Sequence, residues 1–368
     1  RPRVPRYLLS SHDGFGLGHT RRNSLIAGAI LDADPGALVT LITGLDRVPA
    51  WLAHPRLRTV RVPAIVKDGA GRYGGARMSL RDALAGRASA FSETVSGWRP
   101  DVVVVDRHPF GTFGELRRGL LRARLSGAAI VLGLRDVLDE PDSVGDELGG
   151  GSWQGVREIF TDVLVYGDPV VCDHQAEYGL PVAPSYCGWV TPPVPAADPD
   201  PSHLVVAAGG GADGRAVYAL GAALLAERGA WRATILSGPF AGEAALAAGD
   251  RVEHVRSAPD PLRYVARAGA IVQMAGYNST VEALAMGLRP ILVPRRSPRR
   301  EQAIRALRLA SLGLADVVDA DSRASEVAWL LDRPRRLSPG AVERAGIHLD
   351  GAHRAARRLG ALALEAAA

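Results

Sequence analysis

The sequence predicts an α/β protein made of two doubly wound domains with a proline-rich segment between them. Three observations lead to this prediction: short β-branched runs alternate with amphipathic helical runs, the alternation stops at a cluster of prolines, and it then starts again. Because the strand runs are apolar on both sides, each set is typical of a parallel sheet covered by helices on both faces.

The first half begins with a strand over 7–10, a glycine-rich turn and a helix over 21–31. This order is a β-loop-α unit. Residues 145–155 hold five glycines and are predicted to form a mobile loop. The remaining strands of this half are predicted over 38–42, 57–62, 101–105, 129–132 and 162–166, and the helices over 80–95 and 112–125.

The break between the halves carries five prolines within ten residues, which suits neither a central strand nor a helix interior. We therefore expect an N-terminal domain over 1–190, a linker over 191–203, a C-terminal domain over 204–345 and a closing helix over 346–368. The C-terminal strands are predicted over 204–208, 234–236, 252–255, 270–272 and 290–293, and its helices over 215–227 and 279–286.

Ligands of such sheets bind beyond the carboxyl ends of the strands. We therefore expect the two domains to face each other across a cleft that holds the chemistry.

Composition narrows the function classes. Of the 368 residues, 47% are hydrophobic and 23% charged, which excludes disordered, collagen-like and fibrous chains. A net charge of +5 is mild, so no nucleic-acid partner is expected. Two cysteines form no disulfide framework or zinc site, and neither a signal peptide nor a membrane span is visible. We expect a cytoplasmic protein.

The first candidate motif runs over residues 11–23, between the first strand and the first helix, and includes Asp13, Gly16, Gly18 and His19. Glycines let the backbone approach a ligand, and a helix N-terminus favours negative charge. The spacing is not that of a dinucleotide fingerprint. An imidazole at position 19 suits a general base at neutral pH. The alternative is a histidine that only satisfies backbone groups at the helix end.

The second candidate motif includes Asn278, Ser279, Thr280 and Glu282, at the start of a predicted helix. Ser279 and Glu282 have the spacing of a capping box, which would make both purely structural. Alternatively, the carboxylate of Glu282 accepts hydrogen bonds from a ribose diol while the residues before it present N–H groups to a diphosphate.

Two further strand ends carry polar or flexible residues. Glu301 and Gln302 follow an arginine-rich loop, and adjacent carboxylate and amide groups suit the hydroxyls of a sugar ring. The arginines of that loop are typical of a solvated surface. A glycine triplet, which either wraps a phosphate or only turns the chain, follows the first strand of the second half: Gly209, Gly210 and Gly211.

In the N-terminal half, Asp106 and His108 follow the most apolar strand, and Arg135 follows another. These positions suit contacts with a second substrate, although a salt-bridged loop end or a packed histidine explains them equally well. No His/Asp/Glu trio has the spacing of metal ligands, and neither a G-x-S-x-G elbow nor a P-loop is present, so hydrolase triads and kinase chemistry are disfavoured.

Together these motifs resemble the GT-B glycosyltransferases, and within them the MurG-like group with a family 28 C-terminal domain. The most specific pieces are residues 16–22, 276–284 and 301–302. The resemblance implies two Rossmann-like domains, of which the C-terminal one binds a nucleoside-diphosphate sugar, usually UDP-linked, and the N-terminal one holds the acceptor. It also implies inversion at the anomeric carbon without a bound metal or other cofactor.

Transferred to this sequence, the resemblance implies that His19 is the general base for the acceptor and that Asp13, Gly16, Gly18, Asp106, His108 and Arg135 surround the acceptor. It implies that Glu282 holds the ribose and that the backbone near Arg256 holds the base. It places Glu301 and Gln302 on the donor sugar. It assigns the diphosphate to Gly209, Gly210, Gly211, Ser279 and Thr280, with Asn278 in the same turn.

The front loop differs from the G-G-T-G-G-H loop of the peptidoglycan enzyme, so the acceptor stays open between a lipid-linked saccharide and another small hydroxyl compound. Contact with a membrane is expected to be peripheral at most, at the inner face of the cell membrane. Two other functions stay open: a UDP-sugar hydrolase of the same fold, which uses water as acceptor, and a non-catalytic protein that binds sugar nucleotides.

Overall fold

The computed structural model describes residues 4–11, 18–45, 53–67, 73–208, 214–237, 250–256, 258, 260–295, 297 and 299–367. The chain forms two compact units. Unit 1 comprises Arg1–Asp136, Pro141–Val190 and Asp350–Ala368, and unit 2 comprises Val137–Glu140 and Thr191–Leu349. No helix within the described ranges is long and apolar enough to cross a membrane.

The elements up to residue 190 belong to unit 1. Its strands are β1 Arg6–Ser10, β2 Leu38–Thr43, β3 Leu57–Arg61, β4 Ile65–Lys67, β5 Tyr73–Gly75, β6 Val102–Asp106, β7 Ala129–Arg135, β8 Asp162–Tyr166 and β9 Pro184–Tyr186. Its helices are α1 Gly18–Ala33, α2 Leu80–Trp98, α3 Arg117–Leu125, α4 Pro141–Gly149, α5 Val156–Ile159 and α6 His174–Tyr178, with a short 3₁₀ helix at Gly151–Trp153.

Seven strands of unit 1 form a parallel sheet in the order β3-β2-β1-β6-β7-β8-β9, while β4 and β5 form a separate antiparallel hairpin. The four valines of β6 are at most 2% exposed, and burial of each contributes about 1.5–3 kcal/mol. The strand order reverses between β1 and β6, which are direct neighbours. This reversal is the topological switch point, where open α/β sheets place their ligands.

The elements after residue 190 complete the chain. The strands are β10 Asp200–Ala207, β11 Arg232–Leu236, β12 Val252–Val255, β13 Ala268–Gln273, β14 Ile291–Leu292 and β15 Asp316–Val317. The helices are α7 Arg215–Glu227, α8 Leu262–Arg267, α9 Tyr277–Ala285, α10 Glu301–Ser311, α11 Ala324–Val327, α12 Ala341–Arg344 and α13 Gly351–Ala367, with a 3₁₀ helix at Ala328–Asp332.

Unit 2 is built on a six-stranded parallel sheet in the order β12-β11-β10-β13-β14-β15. Alternate residues of β10 point to opposite faces. Leu204 and Val206 join a core cluster that includes α7, and Val205 joins a second cluster that includes α8 and α9. Both faces of the sheet are therefore covered, and the switch point lies between β10 and β13. The predicted fold class, two doubly wound α/β units, is confirmed.

The last helix, α13, returns to unit 1 and packs against α1. Its first residue, Gly351, lies so close to the backbone of Trp189 that a Cβ would sit 2.6 Å from the Trp189 carbonyl oxygen. Gly351 N–H donates to that same oxygen at 3.0 Å. The close approach requires glycine, and it joins the start of α13 to the segment that follows β9.

Three local predictions are wrong. The predicted loop over 145–155 instead contains the end of α4 and a 3₁₀ helix, because Val144 is buried and anchors the segment despite its glycines. Helix α3 begins at Arg117, after an irregular loop, and not at residue 112. Strand β10 begins at Asp200, inside the predicted linker, since Pro201 falls at an irregularity in the pairing with β13, where a proline is tolerated.

Candidate functional site

The switch point of unit 1 carries a histidine and a carboxylate in contact. His19 lies in the first turn of α1, and Asp106 is the last residue of β6. The ring Nδ1 of His19 lies 2.6 Å from Oδ2 of Asp106. An ionised carboxylate only accepts hydrogen bonds, so Nδ1 is the donor in this contact. The His19 side chain is 22% exposed, whereas that of Asp106 is 1% exposed.

Arg22 holds the same carboxylate from a second side. Its Nη2 donates to Oδ1 of Asp106 at 2.7 Å and to Oδ2 at 2.8 Å, and it lies 3.2 Å from Nδ1 of His19. Burial alone would raise the pKa of Asp106, but the Arg22 guanidinium and the His19 ring outweigh burial and hold this pKa well below its usual range. Asp106 is therefore a permanent anion behind the histidine at neutral pH.

Two buried hydrogen bonds hold the start of α1 on the strand ends. Thr20 and Thr43 join their hydroxyls at 2.8 Å, and Asn23 Nδ2 donates to Ser11 Oγ at 2.9 Å. Thr43 ends β2, and Ser11 directly follows β1. The helix that carries His19 is thereby fixed at the carboxyl edge of the sheet.

Tyr166 completes the support of Arg22. Its ring, at the end of β8, lies with its centroid 5.1 Å from the Arg22 guanidinium carbon, within the range of a cation–π contact. Gly133 on β7 makes this placement possible, because a Cβ there would lie 2.4 Å from the Tyr166 hydroxyl. A side chain at position 133 would push the tyrosine out of position.

The residue after Asp106 has a strained backbone. Arg107 has a φ of 70°, a left-handed conformation that costs about 1–3 kcal/mol for a residue other than glycine. Its guanidinium forms a two-point ion pair with Glu147 on α4, with both N···O distances at 2.8 Å. Its N–H donates to the Gly133 carbonyl at 2.8 Å. These contacts hold the turn that directs Asp106 toward His19.

The other N-terminal predictions have different outcomes. Asp13 and Gly16 lie outside the described residues. Gly18 begins α1, and His108 and Arg135 are half-buried at the same edge. The carbonyl of Arg135 accepts a hydrogen bond from His174 Nε2 at 2.9 Å.

Asp106 was predicted to contact the acceptor, and its placement corrects that role. Both of its oxygens are occupied by His19 and Arg22, and its side chain is buried. The contacts of Asp106 therefore suit a residue that orients the histidine.

The switch point of unit 2 is a helix N-terminus. Helix α9 begins at Tyr277 after β13, and its N-cap is Gly276, which makes no side-chain cap bond. Ser279 consequently lies inside the first turn, where its hydroxyl donates to the Gly276 carbonyl at 3.3 Å. The capping-box interpretation of Ser279 and Glu282 is wrong, because the helix starts two residues before the predicted cap. First-turn N–H groups have no acceptor within a helix, so this end suits an anion.

The side chains of this turn differ in access. Asn278 and Ser279 are half-buried. Thr280 is completely buried, and its N–H donates to the Gly276 carbonyl at 3.0 Å. Glu282 is 9% exposed. Arg305 on α10 is fully buried beneath this turn, and its Nη1 donates to the Ala275 carbonyl at 2.7 Å. A buried guanidinium therefore supports the chain just before α9.

Glu301 and Gln302 are both turned toward Arg295. Glu301 Oε1 accepts from Arg295 Nη2 at 3.0 Å, and Gln302 Oε1 accepts from the Arg295 N–H at 3.1 Å. The two side chains are 3% and 8% exposed as residues. The second oxygen of Glu301, Oε2, has no hydrogen-bond partner among the described residues. One carboxylate oxygen thus keeps its acceptor capacity.

The remaining donor-side predictions are only partly described. Arg256 is exposed immediately after the edge strand β12. Gly209, Gly210 and Gly211 lie outside the described residues. In the part of the chain that the structure describes, no group of three His, Cys, Asp or Glu side chains could hold a metal ion.

Glu147 and Arg305 were not singled out from the sequence, and Arg22 was part of the first motif but was given no role of its own. Arg22 had a detectable signal, since its spacing of three from His19 places both on one helix face. The other two contacts join segments 40 and 30 residues apart and have no local signal.

Solved structures match the whole chain. The glycotransferase of kitacinnamycin matches with a TM-score of 0.67 at 17% identity, covering 100% of this chain and 98% of that one. The chain has the GT-B fold. Arabidopsis thaliana UGT89C1 complexed with UDP-L-rhamnose matches at 0.61 and 14% identity, over 99% of both chains. Acinetobacter baumannii MurG matches at 0.56 and 14% identity, over 96% of this chain and 95% of that one. The expected likeness to GT-B glycosyltransferases is thereby confirmed for the fold, whereas no family model and no curated protein matches the sequence.

Proposed function

We propose that this protein is an inverting glycosyltransferase that moves a sugar from a nucleoside-diphosphate donor, UDP-linked by preference, to a hydroxyl acceptor. The observation that carries the proposal is the His19–Asp106 contact at the switch point of unit 1. The structural neighbours support it, because they are glycosyltransferases and one of them is complexed with UDP-L-rhamnose.

In the proposed reaction, His19 acts as general base through Nε2. It removes the proton of the acceptor hydroxyl while that oxygen forms a bond to the anomeric carbon. The bond from the anomeric carbon to the diphosphate oxygen breaks, and its electron pair leaves with the nucleoside diphosphate. One displacement inverts the anomeric configuration. Asp106 stabilises the imidazolium that forms, and the ion pair with Arg22 keeps Asp106 anionic.

Unit 2 is proposed to bind the donor. The first-turn N–H groups of α9 suit the diphosphate, and Glu282, in the next turn, suits the ribose hydroxyls. Negative charge grows on the diphosphate as it leaves, and the helix N-terminus stabilises that charge. We propose that a divalent cation is not required, so activity should persist in excess EDTA.

The loop after Asp106 supports an acceptor with an apolar or aromatic portion. Phe113 in that loop is 53% exposed, and its ring meets Tyr73 of β5 edge to face at 5.6 Å. The Phe113 N–H donates to Glu115 Oε2 at 2.9 Å, which fixes the backbone of the loop. An exposed, held aromatic ring is the kind of surface that binds apolar ligands.

Donor screening tests the proposal directly. Thermal shift with UDP-, dTDP- and GDP-sugars should show stabilisation by one nucleotide class. Single-turnover reactions with that donor should then release nucleoside diphosphate only when a hydroxyl acceptor is present. If no sugar nucleotide binds, the proposal fails.

A UDP-sugar hydrolase is the second candidate, because a histidine held by an ionised carboxylate activates water as well as a hydroxyl. Donor cleavage in water alone, at the same rate with and without acceptor, would favour the hydrolase. Donor binding without cleavage under any condition would favour the non-catalytic sugar-nucleotide-binding protein.

A further inference from the structure

A pocket lies at the amino ends of the unit 2 strands, whereas α9 starts at their carboxyl ends. The pocket, of about 390 Å³, is lined by Pro199, Pro201, Trp231 and Gly269, which stand at the beginnings of β10, β11 and β13. Its other wall is the segment 331–336. Helix α9 follows the end of β13, so this pocket is separated from the proposed donor site by the length of the strand.

The pocket wall carries more positive than negative charge. Asp332 is paired with Arg228, and Asp200 is paired with Arg232, so neither balances the pocket. Among the described residues, one carboxylate, Asp316, serves three guanidinium groups, those of Arg289, Arg333 and Arg335.

Arg336 adds a further positive charge. Its guanidinium donates to the carbonyls of Met286, Ala266 and Ala268 and meets no carboxylate of the described residues. Three arginines thus share one carboxylate, and the fourth, Arg336, pairs with none among the described residues.

Arg335 is the most constrained of these groups. Its side chain is 2% exposed, and Nη2 donates to Asp316 at 2.8 Å. Nε and Nη1 are buried and have no hydrogen-bond partner within the described part of the chain. A buried charge with unsatisfied donors is costly unless a counter-ion compensates it. Burial also lowers the pKa of Arg335, with Arg289 and Arg333 adding to that effect.

The backbone of the wall is already held in place. The Arg335 carbonyl accepts from the Arg289 N–H at 2.7 Å, and the Leu337 N–H donates to the Gly287 carbonyl at 2.8 Å. The arginines therefore project from a fixed segment, which lowers the entropic cost of binding a ligand.

We propose that this pocket binds a phosphate-bearing anion through Arg333 and Arg336, with Arg335 as the buried charge that the anion compensates. Guanidinium forks match phosphate oxygens in geometry as well as in charge. The phosphate belongs either to a free metabolite or to a phospholipid headgroup, and both offer the same oxygens to the site.

Hydrogen exchange locates the binding, since the proposed donor site also suits phosphate. Inorganic phosphate, titrated at constant ionic strength, should slow amide exchange in residues 329–337 of the full chain. The double variant Arg333→Gln/Arg336→Gln should weaken this effect at least tenfold. The matched control, Arg118→Gln/Arg124→Gln, removes the same charge from exposed positions of α3 and should bind like wild type.

Vesicles distinguish the two phosphate sources. Sedimentation with phosphatidylglycerol vesicles, but not phosphatidylcholine vesicles, and loss of this binding in the double variant would identify a headgroup site. Protection by inorganic phosphate without vesicle binding would identify a free-metabolite site. The proposal is overturned if neither ligand slows amide exchange in residues 329–337. It is also overturned if the folded double variant shows the same protection as wild type. If the double variant unfolds at too low a temperature, Arg336→Gln alone takes its place in this comparison.

Discussion

The switch point of unit 1 is built from side chains, whereas that of unit 2 is built from the backbone of a helix N-terminus. In unit 1, three charged or titratable side chains, His19, Arg22 and Asp106, are joined at 2.6–3.2 Å. In unit 2, the corresponding position is the N-terminus of α9, whose N-cap is a glycine with no side-chain cap bond. We propose that the first position transfers a proton and that the second binds an anion.

This difference predicts how each position fails. A side-chain network loses its function when one atom is changed, because each partner fixes the next. A helix N-terminus is made of backbone, so single side-chain changes weaken it by smaller steps. Substitutions in unit 1 should therefore affect turnover, and substitutions in unit 2 should affect donor affinity.

The largest expected effect is that of His19→Ala. Loss of the general base should lower kcat by about 1,000-fold while UDP affinity stays within a few-fold. His353→Ala, on the exposed face of α13, is the matched control. Steady-state kinetics and calorimetric UDP titration check both values. A large loss of UDP binding would contradict the separation of the two roles.

Asp106→Asn should lower kcat by about 100-fold and reduce the free energy of unfolding by about 3 kcal/mol. The amide no longer holds the imidazolium, and Arg22 becomes a buried charge without its counter-ion. Denaturant unfolding and turnover are both measured. Full activity in this variant would show that Asp106 does not orient the base.

Glu282→Ala tests unit 2 and should weaken UDP binding about tenfold, through loss of charged hydrogen bonds to the ribose. The exposed Glu227→Ala on α7 is the control. Affinity and melting temperature are compared. A fall in melting temperature with unchanged UDP affinity would make Glu282 structural and remove the contrast between the units on this side.

Glu147→Gln should lower kcat a few-fold at unchanged donor KM. The substitution breaks the two-point ion pair that holds Arg107 in its left-handed conformation and so loosens the turn behind Asp106. Glu158→Gln, exposed on α5, provides the comparison. Equal losses in kcat and in donor affinity would indicate general damage and not mispositioning of the dyad.

The smallest effect is expected in acid. The pKa of Asp106 is lower in the folded protein than its unfolded value of about 3.9, so its stabilisation is complete above that value and is lost as pH falls through the folded pKa. Below pH 4, amide exchange in strands β1 and β6 should accelerate more steeply with falling pH in wild type than in Asp106→Asn, because the variant has no carboxyl group to protonate. The same dependence on pH in both proteins would rule out this coupling.

Local sequence patterns were sufficient for most of the fold. Helix α7 and strands β8 and β12 have the predicted bounds, because apolar periodicity alone defines them. The loop prediction for the glycine-rich segment after residue 144 was wrong, because burial of Val144 and Trp153 overrides the weak helix propensity of glycine.

The site was predictable only in part. His19 and the start of α9 were found from motifs within a few residues of sequence. The partner of His19 is 87 residues away, and only the adjacency of β1 and β6 brings the two together. The start of α9 was placed two residues late, because Gly276 serves as N-cap without a side-chain signal.

Helix α13 has a consequence for biosynthesis. It belongs to unit 1, although the whole of residues 191–349 is translated before it. During synthesis, the surface of α1 that α13 covers therefore stays exposed until α13 has been translated. Removal of α13 should destabilise unit 1 more than unit 2.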